Sequence, residues 1–386
     1  MVWRFRALVL LGNIKKSGAE KIATTRVAIV GFGLVGHRHA MAIKETDNVH
    51  LCAVVDPANE AAEKAEDIGV PCYKTLEELV EYQRPDGIIL STPTTLHAAQ
   101  GMVCIDLGIP VLIEKPIADN LDEAAQLVSA SEAANVPILV GHHRRFNPII
   151  ESAHQMISSG LIGDVKAVHA TCWFYKPNSY FDKAPWRKQM GAGPVLVNLV
   201  HDIDLMRHLC GEITHIQAAS RSATRGYANE ELSAAILKFE NGGIGTVSVS
   251  DSIVSPWSWE YTSQENPVYP YSAQSSYQIG GSEGALSVPD LAYWRHDKEP
   301  DWWSPIASKK MRFKRADPLI KQIEHFARVI RGYDDPLVSG HEGLRNLAVI
   351  NAIRTAAQTG RLVSVDEMPQ LQASNVKATY KKIAFE

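Results

Sequence analysis

Apolar residues in the first part of the chain fall in short runs divided by amphipathic stretches. Arg26-Val27-Ala28-Ile29-Val30 leads straight into Gly31-Phe32-Gly33-Leu34-Val35-Gly36, and 35–43 then has helical spacing. A second apolar run, 51–55, ends in Asp56, and 59–68 reads as a helix. Thr75 with Glu78 has the pattern of a capping box opening a short helix to Tyr82. Further buried-strand runs lie at 87–91, 111–113 and 138–141, with helices over 96–107 and 121–134 between them. Strands alternating with helices predict a parallel, doubly wound sheet.

From Pro148 the texture changes. A helix over 149–158 is broken by Gly160 and Gly163, and β-rich runs follow at 165–173, 213–219, 232–239, 244–249 and 277–280. Asn241-Gly242 lies between two of these runs, a strong hairpin signal. One helix, 195–210, ends at Gly211; two more, 318–330 and 344–359, come late, the last capped by Gly360. The fold class predicted is α/β: an N-terminal Rossmann doubly wound sheet over 25–147, then an α+β domain over 148–365 on a largely antiparallel open sheet. An extension (1–24) and a polar tail (366–386) flank them.

Composition narrows the function. The chain has 386 residues, enough for two cores. Its 39 basic and 43 acidic residues give a net charge of −4, no footing for nucleic acid or an anionic membrane. The five cysteines are scattered without a C-x-x-C, which predicts buried thiols, no disulfide framework and a cytoplasmic setting. No metal is expected. Residues 1–11 are basic, then apolar, but too short to span a membrane and without a clean cleavage site, so they read as an extension.

The order strand, G-x-G-x-x-G, helix, strand, acid is that of a dinucleotide site. Gly31 makes the tight turn, Gly33 admits a pyrophosphate, and Gly36 lets helix and strand pack closely. The helix start offers free N–H groups to phosphate. Asp56 can accept from both ribose hydroxyls. It would repel a 2′-phosphate, and no Arg or Lys occurs in 57–60, so NAD is expected over NADP. Three polar clusters follow later strands: Ser91-Thr92-Pro93-Thr94, Glu114-Lys115-Pro116 and His142-His143-Arg144-Arg145. All would meet at the carboxyl edge of a parallel sheet, where ligands bind. The 195–210 helix is apolar nearly all round, yet Asn198, His201 and Asp204 share one face. Buried polar groups must be paired or face a cavity. His201 is thus either a core histidine satisfied by Asp204 or a carbonyl, or a site residue. A histidine has its ordinary pKa near working pH, and a nearby ammonium can stabilise a forming alkoxide.

These motifs, with Trp186-Arg187 and His201-Asp202-Ile203-Asp204, resemble the Gfo/Idh/MocA oxidoreductases over 25–365. The resemblance implies a Rossmann domain, then an α/β domain whose open sheet often joins subunits as a homodimer or homotetramer. It implies NAD or NADP and hydride exchange with a small polyhydroxy molecule: a sugar, a polyol, a cyclitol or a related diol. Lys115 takes the active-site lysine position and His201 the histidine. Gly31, Phe32, Gly33, Leu34, Val35, Gly36, Asp56, Ser91, Thr92, Pro93, Thr94, His97, Glu114, Lys115 and Trp186 are expected around the cofactor. Lys115, His143, Arg144, Tyr175, Asn198 and His201 are expected to face the substrate. One departure stands out: many members carry an Asp four residues before the histidine, where this chain has Val197. His201 would then carry proton transfer, oriented by Asp202 or Asp204. The alternatives are a nucleotide-sensing regulator without turnover and an NAD-dependent glycosidase. Two other stretches remain. The aromatic-rich 257–277 either stacks on sugar rings or packs on itself, and the basic 309–315 reads as a solvated face.

Overall fold

The computed structural model describes residues 24–366. The expected extension before Thr24 and the tail after Asp366 lie outside them. Six strands form the first sheet: β1 (Thr25–Val30), β2 (Val49–Val55), β3 (Cys72–Tyr73), β4 (Gly87–Leu90), β5 (Val111–Ile113) and β6 (Ile138–Val140). Their order is β3-β2-β1-β4-β5-β6, parallel throughout, the doubly wound arrangement expected. Ile29, Val54, Ile89, Leu112 and Leu139 are all at 0% exposure. Strands covered on both faces read as unbroken apolar runs, which is why the sequence displayed them. Strand β3 escaped prediction because two residues carry no period. Its pairing with β2 brings Lys74 to the carboxyl edge.

The second sheet has nine strands: β7 (Val165–Trp173), β8 (Ile213–Ser222), β9 (Glu230–Phe239), β10 (Ile244–Ser250), β11 (Tyr277–Gly281), β12 (Ala285–Val288), β13 (Ala292–Arg295), β14 (Ala307–Lys310) and β15 (Val363–Ser364). The order is β14-β13-β12-β11-β7-β10-β9-β8-β15, antiparallel except where β7 meets β10. Strands β12 to β15 were not expected; they are short and rich in Ala, Ser and Lys. Lys309 and Lys310 of the basic run sit exposed on β14, at the sheet edge.

The helix expected over 195–210 is not one α-helix. A π-helical turn, Val195–Leu199, precedes an α-helix, Val200–Cys210. Glu230 shapes its start by accepting from the Val195 N–H at 3.0 Å. Single π turns recur at functional sites. The last helix runs Gly340–Thr359, beginning four residues ahead of the expected start because Ser339 caps it by accepting from the Glu342 N–H. Gly343 lets it lie against β6: a Cβ there would come 2.7 Å from Val140 Cγ2. The helix Pro318–Ile330 also returns to the first sheet, where a Cβ on Gly87 would meet Ile330 Cδ1 at 2.4 Å.

Gly36 tests how tightly the nucleotide turn is packed. A Cβ there would lie 2.1 Å from the Gly31 carbonyl oxygen, so backbone must move. Gly36→Ala is expected to cost about 1–3 kcal/mol of stability, read as a lower midpoint in thermal unfolding. An unchanged midpoint would show that the turn relaxes freely.

Candidate active site

A cavity of about 820 Å³ opens at the carboxyl edge of β1, β2 and β4. Of the expected cofactor residues, Gly31, Gly33, Leu34, Val35, Asp56, Ser91, Thr92 and Pro93 line it. Gly31 has φ +85°, and a Cβ there would lie 2.7 Å from the Thr92 nitrogen, so only glycine fits the turn. Ser91 Oγ donates to the Gly31 carbonyl at 2.7 Å and locks the neighbouring loop to it. Asp56 accepts from the Phe32 N–H at 2.8 Å and the Ala58 N–H at 2.9 Å, one on each oxygen. It therefore braces the turn, and each oxygen keeps a lone pair for a ribose hydroxyl. No side chain caps the helix Leu34–Lys44, whose first residue is 88% exposed, so its leading N–H groups face open space. A glycine cradle, open helix start and bracing acid fit a dinucleotide.

The remaining cofactor candidates have other places. Phe32 is buried, and Gly36 is pressed on the turn. Thr94 opens a short turn ahead of His97. His97 is buried, its Nδ1 2.9 Å from the Pro116 carbonyl and its Nε2 2.9 Å from the Thr92 carbonyl. It ties the loop after β4 to the Lys115-Pro116 segment. Trp186 is exposed on the turn Pro185–Lys188, away from the cavity walls. Lys74 lies on the wall unforeseen, donating to the Pro57 carbonyl at 3.1 Å.

Beyond the cavity, the two sheets meet around Lys115. Glu114, at the end of β5, faces His39 at 2.8 Å. Burial opposes its charge, but His39, His143 and Lys115 outweigh that and hold its carboxyl down to about 2. Gly141 makes room, since a Cβ there would lie 3.0 Å from Glu114. Lys115 Nζ donates to the Val197 carbonyl at 3.3 Å, within the π turn. Burial lowers the ammonium's pKa; Glu114 and Glu260 oppose this, Arg144 and Lys176 add to it, and the result is about 8. His201 follows one turn on, its ring 5.5 Å from that of His143 and 6.2 Å from that of His142. Burial, then Lys115 and Arg144, push its pKa well below the ordinary 6.5, so it is neutral at neutral pH. Its Nδ1 is buried with no partner, as is Asn198 Oδ1.

The expected orientation of His201 by Asp202 or Asp204 is corrected. Asp202 accepts from the Tyr277 hydroxyl and lies 3.6 Å from Arg144. Burial raises its pKa to about 6. Asp204 is taken by Arg145 at 2.7 Å and Asn346 at 2.6 Å. A guanidinium and an amide hold Asp204, the Tyr277 hydroxyl holds Asp202, and neither carboxylate hydrogen-bonds to the imidazole.

The 257–277 stretch turns two of its aromatic rings inward and leaves Trp257 and Tyr271 exposed. Trp259 and Tyr277 are 1% exposed, and Arg144 lies 5.5 Å over the Trp259 ring. Glu260 accepts from Arg144 at 2.8 Å, and Glu265 meets His143 at 3.1 Å. The stretch supplies carboxylates to two residues expected to face substrate, which its aromatic composition did not signal. Tyr175 is 41% exposed under Arg225, whereas the next residue, Lys176, is buried.

The first sheet with its glycine turn, and the lysine and histidine beyond it, define a nucleotide-dependent oxidoreductase. Residues 25–142 match the model of an oxidoreductase family with an NAD-binding Rossmann fold, and residues 150–287 match the GFO/IDH/MocA C-terminal domain. The chain belongs to the Gfo/Idh/MocA oxidoreductase family. It is 30% identical over 241 residues to 4-carboxy-2-hydroxymuconate-6-semialdehyde dehydrogenase of Sphingobium sp., covering 58% of this chain and 71% of that one. It is 25% identical over 355 residues to scyllo-inositol 2-dehydrogenase (NAD(+)) of Bacillus subtilis, covering 88% and 96%. Its fold matches that of an Agrobacterium radiobacter oxidoreductase solved with NAD+, L-tartaric acid and magnesium. There the TM-score is 0.75 at 16% identity, covering 90% of this chain and 100% of the other.

Asp204→Asn tests the brace beneath this site. It leaves Arg145 buried, with Glu342 at 2.6 Å as its remaining carboxylate. The expected cost is about 3 kcal/mol, the low end for breaking a buried pair, measured by urea unfolding at pH 7. Burial opposes the Asp204 charge, but Arg145 and His142 hold its pKa well below the usual range. The wild-type advantage is therefore full above the unfolded value of 3.8 and lost as pH falls toward the folded value. The two proteins should converge in acid.

Proposed function

We propose that the protein is an NAD-dependent dehydrogenase moving a hydride between nicotinamide and a hydroxyl-bearing carbon of a sugar, polyol, cyclitol or cyclic diol. The observation that carries this reading is the approach of Lys115, at the end of β5, to the π turn that leads into the His201 helix, beyond the nucleotide cavity. The scyllo-inositol dehydrogenase and myo-inositol 2-dehydrogenase relatives support the substrate class. Residues 25–147 would form the nucleotide domain and 148–365 the substrate domain.

When bound, the cofactor accepts the hydride. The hydroxyl proton needs a base whose pKa lies near working pH. His201 is too weak a base, having lost its basicity to burial and neighbouring cations. Lys115, at about 8, fits better: its free amine takes the proton in oxidation and its ammonium returns it in reduction. Neutral His201 and Asn198 would position the hydroxyl, and Arg144 and His143, each held by a carboxylate, would shape the substrate wall. This moves the proton-transfer role from His201 to Lys115.

Asp56 favours NAD, while Lys74 is the one cation on the cavity wall among the described residues. The Michaelis constant for NAD is expected to be lower than that for NADP. Asp56→Ala should narrow the gap and Lys74→Ala should widen it; a preference for NADP in the wild type would overturn this assignment. A homodimer or homotetramer through the exposed face of the second sheet, in the cytoplasm, belongs to the same proposal. Among the described residues no helix is long and apolar enough to cross a membrane.

The test is NADH formation over a panel of sugars, inositols and cis-dihydrodiols. Lys115→Ala should lower turnover by roughly 10²-fold or more with the fold intact. The log of kcat/KM for oxidation should rise with slope one and level off above about 8, since the free amine is the active form. His201→Asn should slow the reaction and leave that limb in place. A Lys115→Ala variant that keeps the limb would move the base elsewhere. NAD binding without turnover anywhere on the panel would favour a sensor.

A further inference from the structure

We propose that the substrate carries a carboxylate and that Lys176 receives it. This rests on the dehydrogenase reading and narrows its substrate class from polyols at large to polyhydroxy carboxylates.

Among the described residues the buried arginines come with carboxylates, as does the half-buried Arg225. Arg144 has Glu260 at 2.8 Å, Arg145 has Asp204 at 2.7 Å, Arg207 has Glu212 at 2.6 Å, and Arg225 has Asp251 at 2.9 Å. Lys176 breaks the pattern. It is 5% exposed, yet among the described residues its ammonium makes no hydrogen bond and has no carboxylate within 4.0 Å. The Tyr180 ring has its centroid 5.0 Å from Nζ. The carboxylates nearest in effect, Asp251 and Glu260, are taken by Arg225 and Arg144.

Lys176 Nζ is not among the fully buried unpartnered atoms, so it keeps some contact with solvent, yet holding an ammonium on a mostly buried side chain without a counter-charge is still costly. The chain does not place it there by slack. The Lys176 N–H donates to the Asp251 carbonyl at 2.9 Å, extending the run of β7 and fixing which way the residue faces. Tyr175 goes outward and Lys176 inward. Lys176 is among the charges lowering Lys115, and Glu260, which supports the charge of both, is held by Arg144 at 2.8 Å on the expected substrate wall. A substrate reaching Lys115 with its carbinol would set an acidic group toward Lys176. A single ammonium is a point charge suited to one monoanionic group, whereas a phosphate dianion calls for more donors. In the reaction the carbinol C–H leaves as hydride to NAD and the hydroxyl proton goes to Lys115. The carboxylate on Lys176 is unchanged, so the product is the keto acid from a secondary carbinol, or the lactone acid where the carbinol is a hemiacetal carbon.

The experiment uses the full chain with NAD and matched substrates: D-glucose with D-gluconate, D-glucuronate and glucose 6-phosphate, and the galactose series likewise. Calorimetric binding of the same anions to the NADH-loaded protein runs alongside. The carboxylates are expected to exceed their neutral partners in kcat/KM by about tenfold or more, the size of one charge-assisted hydrogen bond. Compared on the high-pH plateau, where loss of the Lys176 charge no longer acts through the Lys115 pKa, Lys176→Met should raise their KM or dissociation constant by a similar factor, change kcat by less, and move the KM of neutral sugars by much less than that of the carboxylates. Lys176→Arg should recover part of the loss. Retained NADH binding in both variants shows that the fold survives. Equal kcat/KM across each pair, a preference for the phosphates, or a Lys176→Met variant with unchanged carboxylate binding would overturn the proposal. Turnover of neutral sugars alone would also overturn it while the dehydrogenase reading stands. Lys176-dependent carboxylate binding without turnover of any member would support the subsite and count against the dehydrogenase. No carboxylate bound or turned over would end the proposal.

Discussion

The hydrogen bond from Lys115 Nζ to the Val197 carbonyl, at 3.3 Å, joins the edge of one sheet to the π turn beside the other. What sets the chemistry is the burial that comes with it. An ammonium removed from water and faced by Arg144 and Lys176 gives up basicity until it can exchange a proton near neutral pH. The same burial silences His201 as a base. Two residues with ordinary values on either side of neutrality thus change roles, with lysine becoming the titrating group.

Such a contact needs the two layers to be held rigidly. Arg145 from the loop after β6 reaches Asp204 on the Val200–Cys210 helix, and Asn346 on the Gly340–Thr359 helix reaches both Asp204 and His142. Three elements from both halves of the chain converge on one buried carboxylate. The His201 helix is therefore fixed from below by groups that do not touch the proposed substrate space. Buried hydrogen-bonded networks of this kind stiffen the position they surround.

Much of this was legible in the sequence. A parallel sheet gathers the carboxyl ends of all its strands at one edge, so Asp56, Ser91, Glu114 and His143 could be grouped without knowing a distance. The glycine turn was legible because Gly31 and Gly36 leave no room for a side chain. Lys74 and Lys176 were not legible, since each is an isolated lysine placed by pairing at a strand end: β3 beside β2, and the run beyond β7 beside Asp251. The start of the π turn is met by Glu230, distant in sequence, a contact with no local pattern. Strands β12 to β14 carry four residues each, too few to display an alternation. Asp204 misled for a different reason. Its helical spacing from His201 was read correctly, but a guanidinium and an amide compete better for it than an imidazole does.

The central claim is that burial makes Lys115 the titrating group. It is tested most directly by the pH dependence of acetic anhydride labelling at Lys115 in the nucleotide-free protein, read residue by residue by mass spectrometry. The account predicts a labelling midpoint near 8. A midpoint at the ordinary lysine value of 10.5 would contradict it.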